Sequence, residues 1–124
     1  MALPVNRPIT EVTVSSELAD VSTASSTYQV APFRGRLKRA YSVITNAITG
    51  ADCTWTVSVR GGSALKTATI TQSGSAAGDV DSVDLGYMGT SNFVDKGDLI
   101  TFTSAGESST TCITRFFAVI DRVN

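Results

Sequence analysis

The stretch Asp52 to Arg60, DCTWTVSVR, followed by Gly61-Gly62, decides the fold. Cys53, Trp55, Val57 and Val59 alternate with Asp52, Thr54, Thr56 and Ser58. Successive side chains of a strand point to opposite faces, so this period of two describes a half-buried strand with an apolar and a hydroxyl face. Two glycines supply the positive φ that a tight hairpin turn requires. A two-residue turn at Gly61-Gly62 pairs Arg60 with Ser63. It sets Ala64, Ala68 and Ile70 beside the Trp55 face, a four-residue loop would preserve the same parity, and turn and hydrophobic pattern thus agree on one register. Lys66 is the misfit, a charge at an apolar position.

Outward from this hairpin the same pattern repeats. Residues 35–46 alternate, with Leu37, Tyr41 and Val43 expected on one face and Arg36, Lys38 and Ser42 on the other. Tyr28 to Val30, Asp79 to Met88 and Leu99 to Thr103 read as further strands. Thr111 to Ile120, TCITRFFAVI, is apolar on both faces and reads as a central strand. Gly- and Ser-rich loops separate them (QSGSAAG at 72–78, a DKGD turn at 95–98). Residues 1–26 are polar, with Pro4 and Pro8 keeping the first part extended. They read as an extended N-terminal arm with one short edge strand at Ile9 to Val14. The expectation is a single all-β domain, 27–124, an antiparallel β-sandwich of the jelly-roll kind with about eight strands, preceded by the arm, 1–26.

Composition narrows the function. The chain has 124 residues, 17% of them charged, a net charge of −1 and no histidine. Lack of histidine removes the commonest general base and metal ligand, so the reading expects no enzyme, no cofactor and no metal. The charge balance gives no pull toward nucleic acid or an anionic membrane, and neither is expected as a partner. No basic start and apolar run resembling a secretory signal opens the sequence, so Cys53 and Cys112 are expected as free thiols of a protein made in the cytoplasm.

The remaining motifs have plain readings. Asp79, Asp81 and Asp84 fall short of a calcium loop, with the wrong spacing and no glycine at the turn. Arg60-Gly61-Gly62 and Lys96-Gly97-Asp98 are turns, and Trp55 is a core residue. The one basic cluster is Arg34, Arg36, Lys38 and Arg39. Alternation assigns Arg36 and Lys38 to one face and Arg39 to the other, with Leu37 and Tyr41. The cluster protects a strand edge or meets an acidic partner, for which Asp79 to Asp84 of a neighbouring copy is a candidate.

Three segments, RLKRAYSVITNAITGADCTWTVSVRGG, QSGSAAGDVDS and VDKGDLITFTSAGESST, resemble a group of small all-β head decoration, or cement, proteins of tailed bacteriophages. The resemblance covers about Val30 to Ile120. It implies a virion protein on the outer capsid surface, assembled in the host cytoplasm. Its partner would be the major capsid protein, and it would bind as a homodimer or homotrimer that staples neighbouring capsomers. Pro4, Arg7 and Pro8 of the arm and Arg34, Arg36, Lys38 and Arg39 are the candidate contact residues. The rival expectation is a carbohydrate-binding or receptor-binding β-sandwich module of a phage fibre. It would need clustered exposed aromatics, whereas Tyr28, Tyr41, Trp55, Tyr87 and Phe93 lie on separate segments.

Overall fold

A computed structural model describes residues 11–86 and 89–123. Nine strands occur among them: β1 Glu11–Leu18, β2 Ser25–Val30, β3 Gly35–Ile44, β4 Cys53–Val59, β5 Lys66–Ile70, β6 Val80–Asp84, β7 Phe93–Val94, β8 Leu99–Ser104 and β9 Thr114–Arg122. They form two antiparallel sheets. One runs β1-β9-β3-β6, with the two-residue β7 also on β3; the other runs β2-β8-β4-β5. The pairings are nested. β4 pairs β5, β3 pairs β6, β2 pairs β8 and β1 pairs β9, so the chain is a long hairpin rolled into a sandwich. This is the jelly-roll arrangement, in which β7 is a short addition to eight main strands.

The core is where the two inner faces meet. Trp55 and Phe102 from the four-stranded sheet and Phe116 from the other are fully buried. Phe102 and Phe116 stack with ring centroids 5.1 Å apart, and Trp55 meets Phe116 edge-on at 5.1 Å. Offset and edge-on contacts suit the quadrupoles of the rings. The indole N–H of Trp55 donates to Ser42 Oγ on β3, 3.1 Å away and also fully buried. Cys53 and Cys112 are buried free thiols, bonded to different carbonyls, Val21 and Asn46.

The β4–β5 register is the expected one, with Trp55 opposite Ala68 and Cys53 opposite Ile70. The turn itself sits one residue earlier. Gly62 N–H bonds Val59 O, and the two central residues, Arg60 (φ 55°) and Gly61 (φ 68°), both have positive φ. The strands rejoin only at Lys66, and Ala64 is exposed rather than beside Trp55. Arg60 tolerates a conformation rare for a side chain because its guanidinium bonds the carbonyls of Phe93 and Thr90. Lys66 does sit at an apolar register position, opposite Val57, and escapes by reaching the Asp84 carbonyl at the sheet edge, 2.8 Å away.

Two expectations need correction. The segment 1–26 is not an arm throughout. Residues 1–10, with Pro4, Arg7 and Pro8, lie outside the described residues, but Glu11–Leu18 is paired along its whole length with β9. Val12, Val14 and Leu18 point inward, and Val21 beyond them is fully buried. Ser16, a polar residue at an inward position, concealed this pattern. The other correction concerns β3, where a bulge falls between Leu37 and Arg39. Leu37 is buried with Ala40, Ser42 and Ile44, while Tyr41 and Val43 face outward with Arg36 and Arg39. Asn92, from a distant loop, sits beside the bulge. It is fully buried, its side-chain amide N–H groups donate to the carbonyls of Leu37 (2.9 Å) and Gly86 (3.0 Å), and its backbone carbonyl accepts Leu37 N–H. Leu37 stays opposite Ile120, and Lys38 is the extra residue, with no Cα partner on β9.

Side-chain bridges tie the sheets together at both edges. Ser16 bonds Thr27 and the Tyr28 carbonyl, and Gln29 reaches Ser15 O, linking β1 to β2. Lys66 makes the equivalent link from β5 to β6.

The Trp55–Ser42 pair generates a prediction. Trp55→Phe leaves a buried hydroxyl unpaired and should cost about 1–3 kcal/mol, whereas adding Ser42→Ala to it should recover part of that loss. Denaturant titration of the W55F, S42A and double variants, followed by circular dichroism, gives the coupling. Additive losses would mean that the bond contributes nothing across the core.

Candidate interaction surfaces

The two outer faces differ in chemistry. On the four-stranded sheet the outward residues are Ser26, Tyr28 and Val30 of β2, Leu99, Thr101 and Thr103 of β8, Thr54, Thr56 and Ser58 of β4, and Thr67 and Thr69 of β5. None is charged. Three adjacent strands each present Thr-x-Thr around a buried residue: Ala68, Trp55 and Phe102. Thr67 lies beside Thr56, and Thr56 beside Thr103, in one row across the sheet. β-Branched hydroxyl residues fit this pleated surface and satisfy one another, as Ser26 and Thr103 do at 2.8 Å. At one corner Val30 is opposite Leu99 and Tyr28 opposite Thr101, and the three apolar side chains are 49%, 46% and 59% exposed. At the rim, Glu107 accepts the Thr54 N–H (2.9 Å) and its hydroxyl.

The other sheet presents charges in cross-strand pairs. Arg36 faces Asp121 (4.0 Å), Lys38 faces Glu11 (2.9 Å), Arg115 faces Glu17 (3.1 Å), and Arg39 pairs with Asp84. Tyr41 and Asp84 both favour the charged guanidinium of Arg39, raising its pKa above an already high value. Of the basic cluster, the structure therefore brings Arg36, Lys38 and Arg39 to one face, because the bulge reverses the parity that would have split them. Arg34 stands apart in the β2–β3 loop, 3.7 Å from Asp95. Asp84 is engaged within its own chain, and Asp79 closes a turn by accepting Ala76 N–H.

The aromatic residues do not gather outside. Trp55 is in the core, Phe33 lies under the Arg122 guanidinium, and Tyr28 is the one exposed ring among the described residues. Tyr87 lies outside them. No group of three or more metal-binding side chains occurs among the described residues. The clefts are shallow surface grooves. One of about 510 Å³ lies on the charged sheet between Val43, Ile113 and Phe117.

Sequence reasoning missed the uncharged face as a unit, although its signal was present. The spacings Thr54-x-Thr56, Thr67-x-Thr69 and Thr101-x-Thr103 follow from the same alternation that gave the strands.

Among known proteins, no family model matches the chain, and no curated protein matches it. The solved structures to which the chain is similar include two of low identity. One is the catalytic unit of a thermostable GH87 α-1,3-glucanase from Streptomyces thermodiastaticus strain HF3-3. It is 19% identical with a TM-score of 0.47, over 91% of this chain and 24% of that one. The chain thus spans about a quarter of the length of the glucanase unit. The other is a chain of the cyanophage Pam1 capsid asymmetric unit, 13% identical with a TM-score of 0.43, over 99% of this chain and 93% of that one.

Acid groups in the loops generate a prediction. Asp20 accepts the hydroxyl and N–H of Ser22, the N–H of Cys112 and the hydroxyl of Thr23, which together hold its pKa below the ordinary 3.8, Ser22 Oγ first, against the opposing effect of desolvation. A depressed folded-state pKa adds stability above the unfolded value, and that stability is lost as pH falls through the folded value. Asp20→Asn should lower the melting temperature at neutral pH, and the gap from wild type should close below about pH 4. A gap that is the same at pH 7 and pH 3 would separate Asp20 from the acid sensitivity.

Proposed function

We propose that the chain is a non-enzymatic structural protein of a virus particle, a decoration or cement protein on the outer surface of a capsid. In this reading it docks through the uncharged face of its four-stranded sheet and staples neighbouring subunits of the major capsid protein. The observation that carries the reading is the division of charge between the two outer faces. A sheet face exposed to water ordinarily bears charge for solubility and against self-association. Here one face bears four cross-strand ion pairs and the other bears only hydroxyl and apolar groups. Docking the uncharged face strips water from no ion, so it avoids the desolvation penalty that buried charges carry. Tyr28, Val30 and Leu99 supply apolar area at its corner.

The resemblance of three segments to phage decoration proteins points the same way. In the fold those segments supply β3, β4, the loop into β6 and the whole of β8. Mechanistically, a protein that binds the assembled shell but not its separated subunits stabilises the shell by mass action. Each face is small, so the effect depends on many copies acting across many joints.

The test is sedimentation of purified protein with shells of the encoding virus that lack it. The wild type should co-sediment and raise the temperature at which the shells come apart. Thr56→Lys with Thr103→Lys should weaken binding by about tenfold or more, since two ions must then be desolvated, and Tyr28→Asp should weaken it without touching the core. Trp55 fluorescence confirms that each variant is folded. Full binding by both variants would move the contact off this face. Failure of the wild type to bind any such shell would remove the decoration reading.

A further inference from the structure

The loops at the two ends of the sandwich carry opposite charge. At one end the β1–β2, β3–β4, β5–β6 and β8–β9 connections come together. Val21 N–H bonds Cys112 O, Ser109 N–H bonds Thr49 O, and Ser75 Oγ holds both backbone groups of Ile48. These loops, 19–24, 45–52, 71–79 and 105–113, contain Asp20, Asp52, Asp79 and Glu107 and no lysine or arginine. Each carboxylate is held by neutral donors: Asp52 by Gln72 N–H (2.8 Å), Asp79 by Ala76 N–H (2.9 Å), Asp20 and Glu107 as described above. Such bonds fix the groups without cancelling their charge.

At the opposite end the β2–β3, β4–β5 and β7–β8 connections meet the end of β9. Ala31 N–H bonds Asp98 O, Arg60 N–H bonds Leu99 O and Val123 N–H bonds Arg34 O. Arg34, Arg60, Lys96 and Arg122 line two adjoining hollows there, each of about 320–340 Å³. They outnumber the acids of the same end, Asp95, which lines one hollow 3.7 Å from Arg34, and Asp98, which accepts Asp95 N–H within the turn. Arg60 is held by carbonyls and Arg122 by the face of Phe33 (4.4 Å), and none of these partners is an anion.

We propose that copies of this chain associate head to tail, the basic end of one, centred on Arg34 and Lys96, against the acidic end of the next, centred on Asp52 and Asp79. The occupant is a second copy because the chain itself carries the complementary surface, with carboxylates fixed in place to meet the hollows. A contact between different ends is heterologous, so it propagates and closes into a ring where the rotation per copy allows. Such a ring leaves every uncharged sheet face free. The inference therefore fits the decoration reading without resting on it, and its test involves no shell.

The experiment is sedimentation velocity with light scattering on the full chain. At about 0.1 mM protein the wild type should be oligomeric in about 0.1 M salt and should dissociate in about 1 M salt, where the screening length falls from roughly 10 Å to roughly 3 Å. Arg34→Glu with Lys96→Glu should be monomeric, and so should Asp52→Lys with Asp79→Lys. All four positions are exposed, and Trp55 emission checks folding. Mixing the two variants should restore association, because each then meets an opposite charge at both ends. A monomeric wild type, an oligomer unchanged in either variant, or a mixture that stays monomeric would overturn the head-to-tail contact. None of these results bears on whether the uncharged face binds a shell.

Discussion

One hydrogen bond sets the terms for the interior: the indole N–H of Trp55 on Ser42 Oγ, across the gap between the sheets. A tryptophan gives a small sandwich a large apolar volume, but its N–H needs an acceptor wherever it is buried. No water-facing route exists for an inward side chain in the middle of β4. The acceptor therefore has to come from the facing sheet, and Ser42 must point inward. That requirement fixes the parity of β3 beyond its bulge. It turns Tyr41 and Val43 outward and places Arg39 beside Asp84. The arrangement of charges on one surface thus follows from a polar atom in the core.

How much of this was legible in the sequence depends on how far apart the deciding residues lie. The β4–β5 register was legible because Trp55, the glycines and Ala68 are close together and their constraints agree. The turn slipped by one residue because Arg60 tolerates positive φ only with the help of carbonyls in another loop. The bulge in β3 lies beside Asn92, 55 residues from Leu37, and nothing in residues 35–46 announces it. The strand β1 was partly hidden because only Val12, Val14 and Leu18 mark its inner face. Its partner β9 supplies most of the apolar surface at that joint.

The candidate surfaces divide in the same way. The uncharged face is a local property of three Thr-x-Thr strands and could be read directly. The basic cluster was visible as a run of residues, but its placement was not, since parity across the bulge decided it. The charge of the two ends could not be read from any one segment. Asp20, Asp52, Asp79 and Glu107 are spread over most of the chain, and only the nested strand order gathers them.

That nested order also bears on how the molecule forms. Strand β9 lies in the middle of its sheet, between β1 and β3, yet follows both in the chain. During synthesis β1 and β3 emerge first and must wait, with apolar faces exposed, for the strand that separates them. Pairing residues this distant has to overcome loop-closure entropy before any contact rewards it, so all-β folds of this kind form slowly. The hairpin of β4 and β5, whose ends are close and whose turn is built in, is the natural place for structure to begin. Folding would then spread outward through β3–β6 and β2–β8, with the β1–β9 seam closing at the end.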